Sequence, residues 1–198
     1  FIKLVEEAHR RGMRVILEGS VGLYNASGSY QFYSEGIKKD GTGELYERFL
    51  RLKEQLTKEG LFDLSRKKPL PLLPNAVGII TSRTGAVLHD IVTVSHRRCS
   101  FVPLLLRAAQ VQGDAAADDL VNALHEMATQ TDVDVIIIGR GGGSMEDLWA
   151  FNEEKVVRAI AACPVPIISA VGHETDITLS DFAADVRAAT PSQAAELA

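Results

Sequence analysis

The stretch VIIIGRGGGSMEDLWAFNEE, Val135 to Glu154, opens with a run of branched apolar residues and then sets one arginine among glycines. An apolar run of that length, bounded by glycine, reads as a strand buried on both faces. Glycine loses more conformational freedom on folding than any other residue, so a cluster of it marks tight bending or close backbone approach. Gly139, Gly141, Gly142 and Gly143 therefore predict a loop that leaves a core strand and closes around a ligand, with Arg140 as the charge in GRGGGS.

Outward from that strand the pattern repeats. AVGIIT reads as a strand, GAVLHDIVTVSHRR as a helix, FVPLLLRAA as a strand, and DAAADDLVNALHEMA as a helix with Asp114 placed to cap it. Beyond DVDVIIIG come a helix in NEEKVVRAIAA, a strand in VPIISAVG and a last helix in LSDFAADVRAA. Near-continuous apolar strands alternating with helices predict an open, doubly wound, mostly parallel α/β domain over 75–198. Upstream, 41–74 reads as a helix and a linker. GELYERFLRLKEQLTKEGLF keeps helical spacing as far as Gly60, and SRKKPLPLLP is extended because residues before proline avoid the helical region. In 1–40 a short helical stretch precedes MRVILEGSVGLYN and GSYQFYSEGI, alternating β-rich segments that meet at NASG as a hairpin. Its Tyr24, Tyr30, Phe32 and Tyr33 serve either a small β core or a platform on which bases stack.

Composition narrows the class. Hydrophobic residues make up 46% and charged residues 24% of the 198, which fits a globular chain and not a disordered one. No apolar run nears the ~20 residues of a membrane helix, and FIKLVEEAHRRGMRV mixes acids and bases where a signal peptide has an apolar core. Cys99 and Cys163 share no disulfide or metal-ligand spacing, so a reducing, cytoplasmic location is expected. The net charge of −5 argues against a generally basic surface. Bases still cluster in HRRGMR, SRKK and SHRR, each of which reads on its own as a solvated face. A start without methionine and an end in PSQAAELA read as an excised piece of a longer protein.

In such sheets ligands bind beyond the carboxyl ends of the strands, and three strands here leave through unusual polar loops. Thr81, Ser82, Arg83, Thr84 and Gly85 lead straight into a helix, so their amides and hydroxyls are expected to face a negative ligand. Gly141, Gly142, Gly143 and Ser144 offer backbone N–H groups as a nest for phosphate oxygens. Arg140 adds a planar fork suited to bidentate phosphate contact, and Arg97 and Arg98 are further candidate phosphate contacts. Neither nucleotide fingerprint fits: GRGGGSMED has no lysine, and Ser144 stands where a dinucleotide loop needs glycine. The third loop, VGHETD, brings His173, of a residue type that exchanges protons near neutral pH, with Asp176 three residues on to orient or charge-stabilise it. The alternative for His173 is an incidental loop histidine. Asp90, early in the helix after TSRTG, either projects to this edge or simply favours the helix N-terminus.

At these residues the sequence resembles the large subunit of bacterial exonuclease VII. The resemblance rests on LKEQLTKEGLFD, VGIITSRTGAVLHDI, VQG, GRGGGSMEDLWAFNEE and SAVGHETDITLSDFAADVRAATPSQAAEL, from about Leu52 to Leu197. VILEGSVGLYNASGSYQFY resembles the last strands of that family's N-terminal OB-fold. The resemblance implies a nuclease that degrades single-stranded DNA from either end into oligonucleotides, without strict need of a divalent metal. It implies catalytic importance for Asp90, Arg140, His173 and Asp176, and a C-terminal helical region, absent from these residues, that recruits small subunits. Arg83 departs from the proline or alanine usual there, and Ala189 from a proline.

The reading is thus a single-strand exonuclease core, with an OB-like remnant guiding the strand. One rival is a non-catalytic phosphate- or nucleotide-binding module, which leaves GHETD unexplained; another is a small-nucleotide phosphoesterase, which leaves the β-rich half unexplained. Asp90, Glu146, Asp147, Glu174 and Asp176 carry enough oxygen for one Mg2+. Because magnesium prefers oxygen ligands and water, an arginine and a histidine in the same centre argue that Mg2+ is not essential, and no metal ligand is assigned.

Overall fold

The computed structural model describes residues 15–24, 29–39, 42–142, 145–172 and 176–198. The chain divides into two compact units, 1–48 and 49–198. In the first, β1 (Val15–Tyr24) and β2 (Ser29–Lys39) pair antiparallel from Tyr24↔Ser29 to Val15↔Lys39, with a register shift at Glu18/Gly19. The NASG turn and the helical stretch expected ahead of β1 lie outside the described residues. The division between the units falls within α1 (Thr42–Lys58). This helix ends where its spacing predicts. Gly60 adopts φ 74°, so its own N–H reaches Thr57 O and the Leu61 N–H reaches Leu56 O, each at 3.0 Å.

The second unit runs β3 (Val77–Thr81), α2 (Ala86–Arg98), β4 (Leu104–Ala108), α3 (Ala116–Gln130), β5 (Val135–Gly139), α4 (Glu154–Ala162), β6 (Ile167–Ala170), α5 (Leu179–Ala183), β7 (Val186–Arg187) and α6 (Pro191–Leu197). The five strands form one all-parallel sheet in the order β4-β3-β5-β6-β7; the alternating pattern predicts the parallel sheet and four of its strands. Strand alternation sorts the core onto two faces. Ile80, Ile136, Ile138 and Ile167 pack with Leu120, Leu124, Met127, Val157 and Ile160, from α3 and α4. Val77, Ile79, Val135, Ile137 and Ile168 pack with Val87, Ile91 and Val94 of α2 and Ala194 and Ala195 of α6. Every residue of β3 and β5 is buried, which is why both read as unbroken apolar runs.

Two local expectations fail. Asp114 does not cap α3: the N-cap is Ala115, already helical at φ −85°, ψ −7° and without a side-chain bond. The positive φ of Gly113 (86°) makes the turn ahead of it. The helix expected over LSDFAADVRAA stops at Ala183, and the chain returns to the sheet as β7. Composition favours helix throughout that window, but a buried carboxylate needs donors. Asp185 accepts from the Ile167 and Lys68 N–H groups at 2.7 Å each and pairs with Lys68 Nζ at 3.0 Å. Lys67 Nζ donates to the carbonyls of Phe182, Ala183 and Ala184 at 2.6, 2.9 and 2.7 Å, matching three donors to the negative end of α5. Burial, opposed by Asp185, holds this ammonium below the usual lysine range. These two lysines of SRKK are therefore internal staples and not a solvated face.

Candidate active site at the carboxyl edge of the sheet

The path from β3 to β4 turns to one side of β3, and β5 lies on the other. A crevice opens beyond the strand ends at such a reversal, so TSRTG and GRGGGS flank the place where a ligand fits. Thr81, ending β3, is 1% exposed, and its Oγ1 is buried without a partner among the described residues. Ser82 Oγ donates to Thr84 O at 3.0 Å, tightening the turn, and Arg83, Thr84 and Gly85 are exposed. No side chain caps α2 at Gly85. A Cβ on Gly139 would lie 3.0 Å from Val87 Cγ1 in the first turn of α2. That glycine exists so that helix and strand can pack closely.

Arg140 follows directly. Its N–H donates to Ala170 O at 3.3 Å, extending the β5–β6 pairing by one bond and fixing where the side chain starts. The residue is 7% exposed. Nη2 donates to Gln112 Oε1 at 2.9 Å and lies 3.8 Å from Asp147 Oδ1. Nη1 is buried and has no partner among the described residues. A buried donor without an acceptor costs about 1–3 kcal/mol, and more when charged, so such groups are rare without a ligand, ion or water to meet them. Gly141 and Gly142 are exposed beside it; Gly143 and Ser144 lie outside the described residues.

The third loop, VGHETD, follows β6. A Cβ on Gly172 would collide with Asp176 O and lie 2.6 Å from Asp181 Oδ2, so only glycine fits at 172. His173 lies outside the described residues. Asp176 is exposed. Beneath the loop Asp181, 5% exposed, accepts from Ser169 Oγ at 2.6 Å, Thr178 N–H at 2.8 Å and Thr178 Oγ1 at 2.9 Å. Thr178 and Asp181 form a capping box at α5. The WAFN segment of the opening stretch is a 3-10 turn, Trp149–Asn152. Asn152 Oδ1 accepts from the Leu179 N–H at 2.8 Å, and Ser180 Oγ donates to Phe151 O at 2.6 Å. EDLWAFN thus anchors the helix into which GHETD returns.

The sequence-derived candidates are not all brought together. Thr81, Arg140 and Asp176 share the carboxyl edge. Asp90 lies on α2 with its side chain 47% exposed and 3.9 Å from His89 Nδ1; among the described residues no hydrogen bond joins it to Arg140 or Asp176. Arg97 and Arg98 end α2, which runs back about 20 Å antiparallel to β3. Arg98 lines a cavity of about 360 Å³ beside Val77 and Leu104, the first residues of β3 and β4, and Arg97 lies 3.9 Å from Glu196. Both sit at the opposite edge from Arg140. Two residues were missed: Gln112, signalled only by VQG, and Asp181, signalled by the cap pattern Thr-x-x-Asp. Among the described residues no group of three or more His, Cys, Asp and Glu is arranged to hold a metal, and no helix is long and apolar enough to cross a membrane.

The second unit is thus an all-parallel α/β domain with a buried arginine, incompletely paired among the described residues, at its switch point, where low dielectric strengthens its pull on any anion. Residues 61–198 match the family described as "Exonuclease VII, large subunit", and the chain belongs to that family. Proteins named exodeoxyribonuclease 7 large subunit are similar to it along nearly its whole length. That of Lachnoclostridium phytofermentans is 57% identical over 187 residues, covering 94% of this chain and 46% of that protein. That of Thermoanaerobacter pseudethanolicus is 52% identical over 195 residues, covering 98% and 49%. That of Lactobacillus delbrueckii subsp. bulgaricus is 54% identical over 188 residues, covering 94% and 41%. The chain spans about half the length of the curated relatives it matches.

Proposed function

We propose that this chain is the catalytic core of a nuclease that hydrolyses phosphodiester bonds of single-stranded DNA from both ends, releasing oligonucleotides. The observation that carries this is Arg140: a cation more than nine-tenths buried, with Nη1 unmet, at the switch point of a parallel sheet. The names of the relatives support the reaction class.

Arg140 stabilises the charge that builds on the phosphoryl oxygens as water attacks phosphorus. His173 takes the proton from that water or delivers one to the departing ester oxygen, and Asp176 orients it. Asp90 is the second candidate, for handling that proton or positioning the water. The amides and hydroxyls of Thr81–Gly85 and of Gly141–Ser144 hold phosphate oxygens. The first unit belongs to an OB-like nucleic-acid-binding domain, whose Tyr24, Tyr30, Phe32 and Tyr33 stack bases. Small subunits bind a region of the full-length protein outside these residues. Mg2+ is dispensable, because arginine supplies charge stabilisation that an ion would otherwise provide.

The test uses the full-length protein with its small subunits and labelled single-stranded, duplex and mononucleotide substrates, in chelator and in Mg2+. Single strands are shortened from both ends in chelator, while duplex and mononucleotide persist. His173→Ala abolishes cleavage with single-strand affinity within about threefold, since proton transfer belongs to the chemical step. Binding without cleavage would favour a non-catalytic module, mononucleotide hydrolysis a phosphoesterase, and loss in chelator restored by Mg2+ would make the carboxylates metal ligands.

A further inference from the structure

We propose that Gln112 is a positioning residue for Arg140, and that its being a neutral amide keeps the arginine charge available to the DNA phosphate. This rests on the catalytic reading of Arg140 given above.

Gln112 stands in the loop between β4 and α3, 28 residues from Arg140 in sequence. Its Oε1 accepts from Nη2 at 2.9 Å. The arginine is therefore gripped at both ends of its side chain: the backbone N–H on Ala170 O, and one terminal nitrogen on Gln112. A planar guanidinium held at Nη2 has its other terminal nitrogen fixed in direction as well. That nitrogen, Nη1, is the one without a partner among the described residues. The grip uses one terminal nitrogen and leaves the other for the ligand.

The chemistry of the acceptor matters as much as its reach. A glutamate at 112 would hold the guanidinium equally well and cancel its charge. The carboxylate that is nearby, Asp147, stays 3.8 Å off with its side chain 48% exposed, where solvent screens it. Gln112 itself is exposed, so it has no core role that would explain its bond to a buried cation.

A double-mutant cycle in the full-length protein with its small subunits separates the outcomes. Gln112→Leu lowers the turnover of a labelled single-stranded oligonucleotide about 10- to 100-fold, the size of effect that small misplacement of a catalytic group produces. KM stays within about threefold. In an Arg140→Ala background the same change costs no more than about twofold, because a residue acting through Arg140 has nothing left to position. Gln112→Glu keeps an acceptor but neutralises the cation, so it weakens oligonucleotide binding and lowers the slope of log affinity against log salt by about one ion. Gln112→Leu leaves that slope unchanged. Wild-type turnover in Gln112→Leu, or a loss that multiplies onto that of Arg140→Ala, overturns the positioning role while leaving the catalytic reading intact. Wild-type turnover in Arg140→Ala alone overturns the catalytic reading itself.

Discussion

Arg107 near the end of β4 and Arg140 just past β5 emerge at the same edge of one sheet, yet their guanidinium groups are committed in opposite ways. Arg107 donates through Nε and Nη2 to both carboxylate oxygens of Glu126, at 2.9 and 3.2 Å, and through Nη1 to Asp119 at 2.6 Å and Ala108 O at 2.8 Å. Hydrogen bonding to Glu126 and Asp119 pushes its pKa up, against the effect of burial. Arg140 has one bond to a neutral amide, a carboxylate 3.8 Å away and a nitrogen unmet among the described residues. The difference separates a cation whose three nitrogens are all engaged from one that keeps a nitrogen unmet among the described residues. The more buried of the two, Arg140 at 8% against 24% side-chain exposure, is the one with fewer donors satisfied.

The largest effect should come from reversing that difference. Arg140→Ala is expected to lower single-strand cleavage by about 10²–10³-fold, as loss of a pre-oriented charge-stabilising donor does, while thermal unfolding of the protein barely changes. Arg107→Met should do the reverse. Losing charged hydrogen bonds costs about 1–3 kcal/mol in urea unfolding, with turnover per folded molecule within about threefold. The comparison breaks if the two variants trade phenotypes.

Arg140→Lys sharpens it. An ammonium keeps the charge but cannot be held at one nitrogen and offer another in the same plane, so at least a tenfold loss of turnover is expected; full activity would reduce Arg140 to a generic positive charge. Next in size is Gly172→Ala, whose Cβ would collide with Asp176 O and Asp181 Oδ2. Overpacking of this kind costs about 1–3 kcal/mol, read by denaturant unfolding.

The smallest effect is on acid stability. Asp119 titrates below its usual 3.8, because the Gln110 N–H and Arg107 outweigh the effect of burial. Arg107 likewise draws Glu126 below its usual 4.5. A carboxylate whose folded pKa is depressed stabilises the fold fully above its unfolded value and loses that contribution as pH falls through the folded one. Unfolding free energy should therefore decline below about pH 4.5 in the wild type, and less steeply in Arg107→Met. Parallel declines in the two proteins would remove Arg107 as the cause.

Much of this was legible from residue order. β3, β5 and β6 are buried on both faces, so their apolar runs stood out, and the loops at Thr81, Gly139 and Val171 stood out against them. The edge that Arg97 and Arg98 reach was not legible, because adjacency to a strand–helix unit does not say which edge a residue reaches. A helix that follows a strand in a parallel sheet runs back, so bases in its last turn finish at the far edge. Gln112 and Arg107 were illegible for another reason. Their roles depend on partners 28 and 19 residues away in sequence, and neither spacing carries a local signature. The end of α5 was missed likewise, because the donors that Asp185 needs come from β6 and from Lys68, far back along the chain.

That last arrangement bears on where the chain can be cut. SRKKPLPLLP looks like a dispensable tether, and a shorter piece starting at Asn75 would seem to keep every strand of the sheet. It would also discard Lys67 and Lys68. Three carbonyls at the end of α5 would lose their donor, and the Asp185 carboxylate, with its side chain 3% exposed, would keep its negative charge without its cation. A piece that starts at Asn75 is therefore expected to unfold at lower denaturant than one that reaches upstream of Lys67. A protease that nicked the chain between Lys68 and Asn75 would be expected to leave its two products associated.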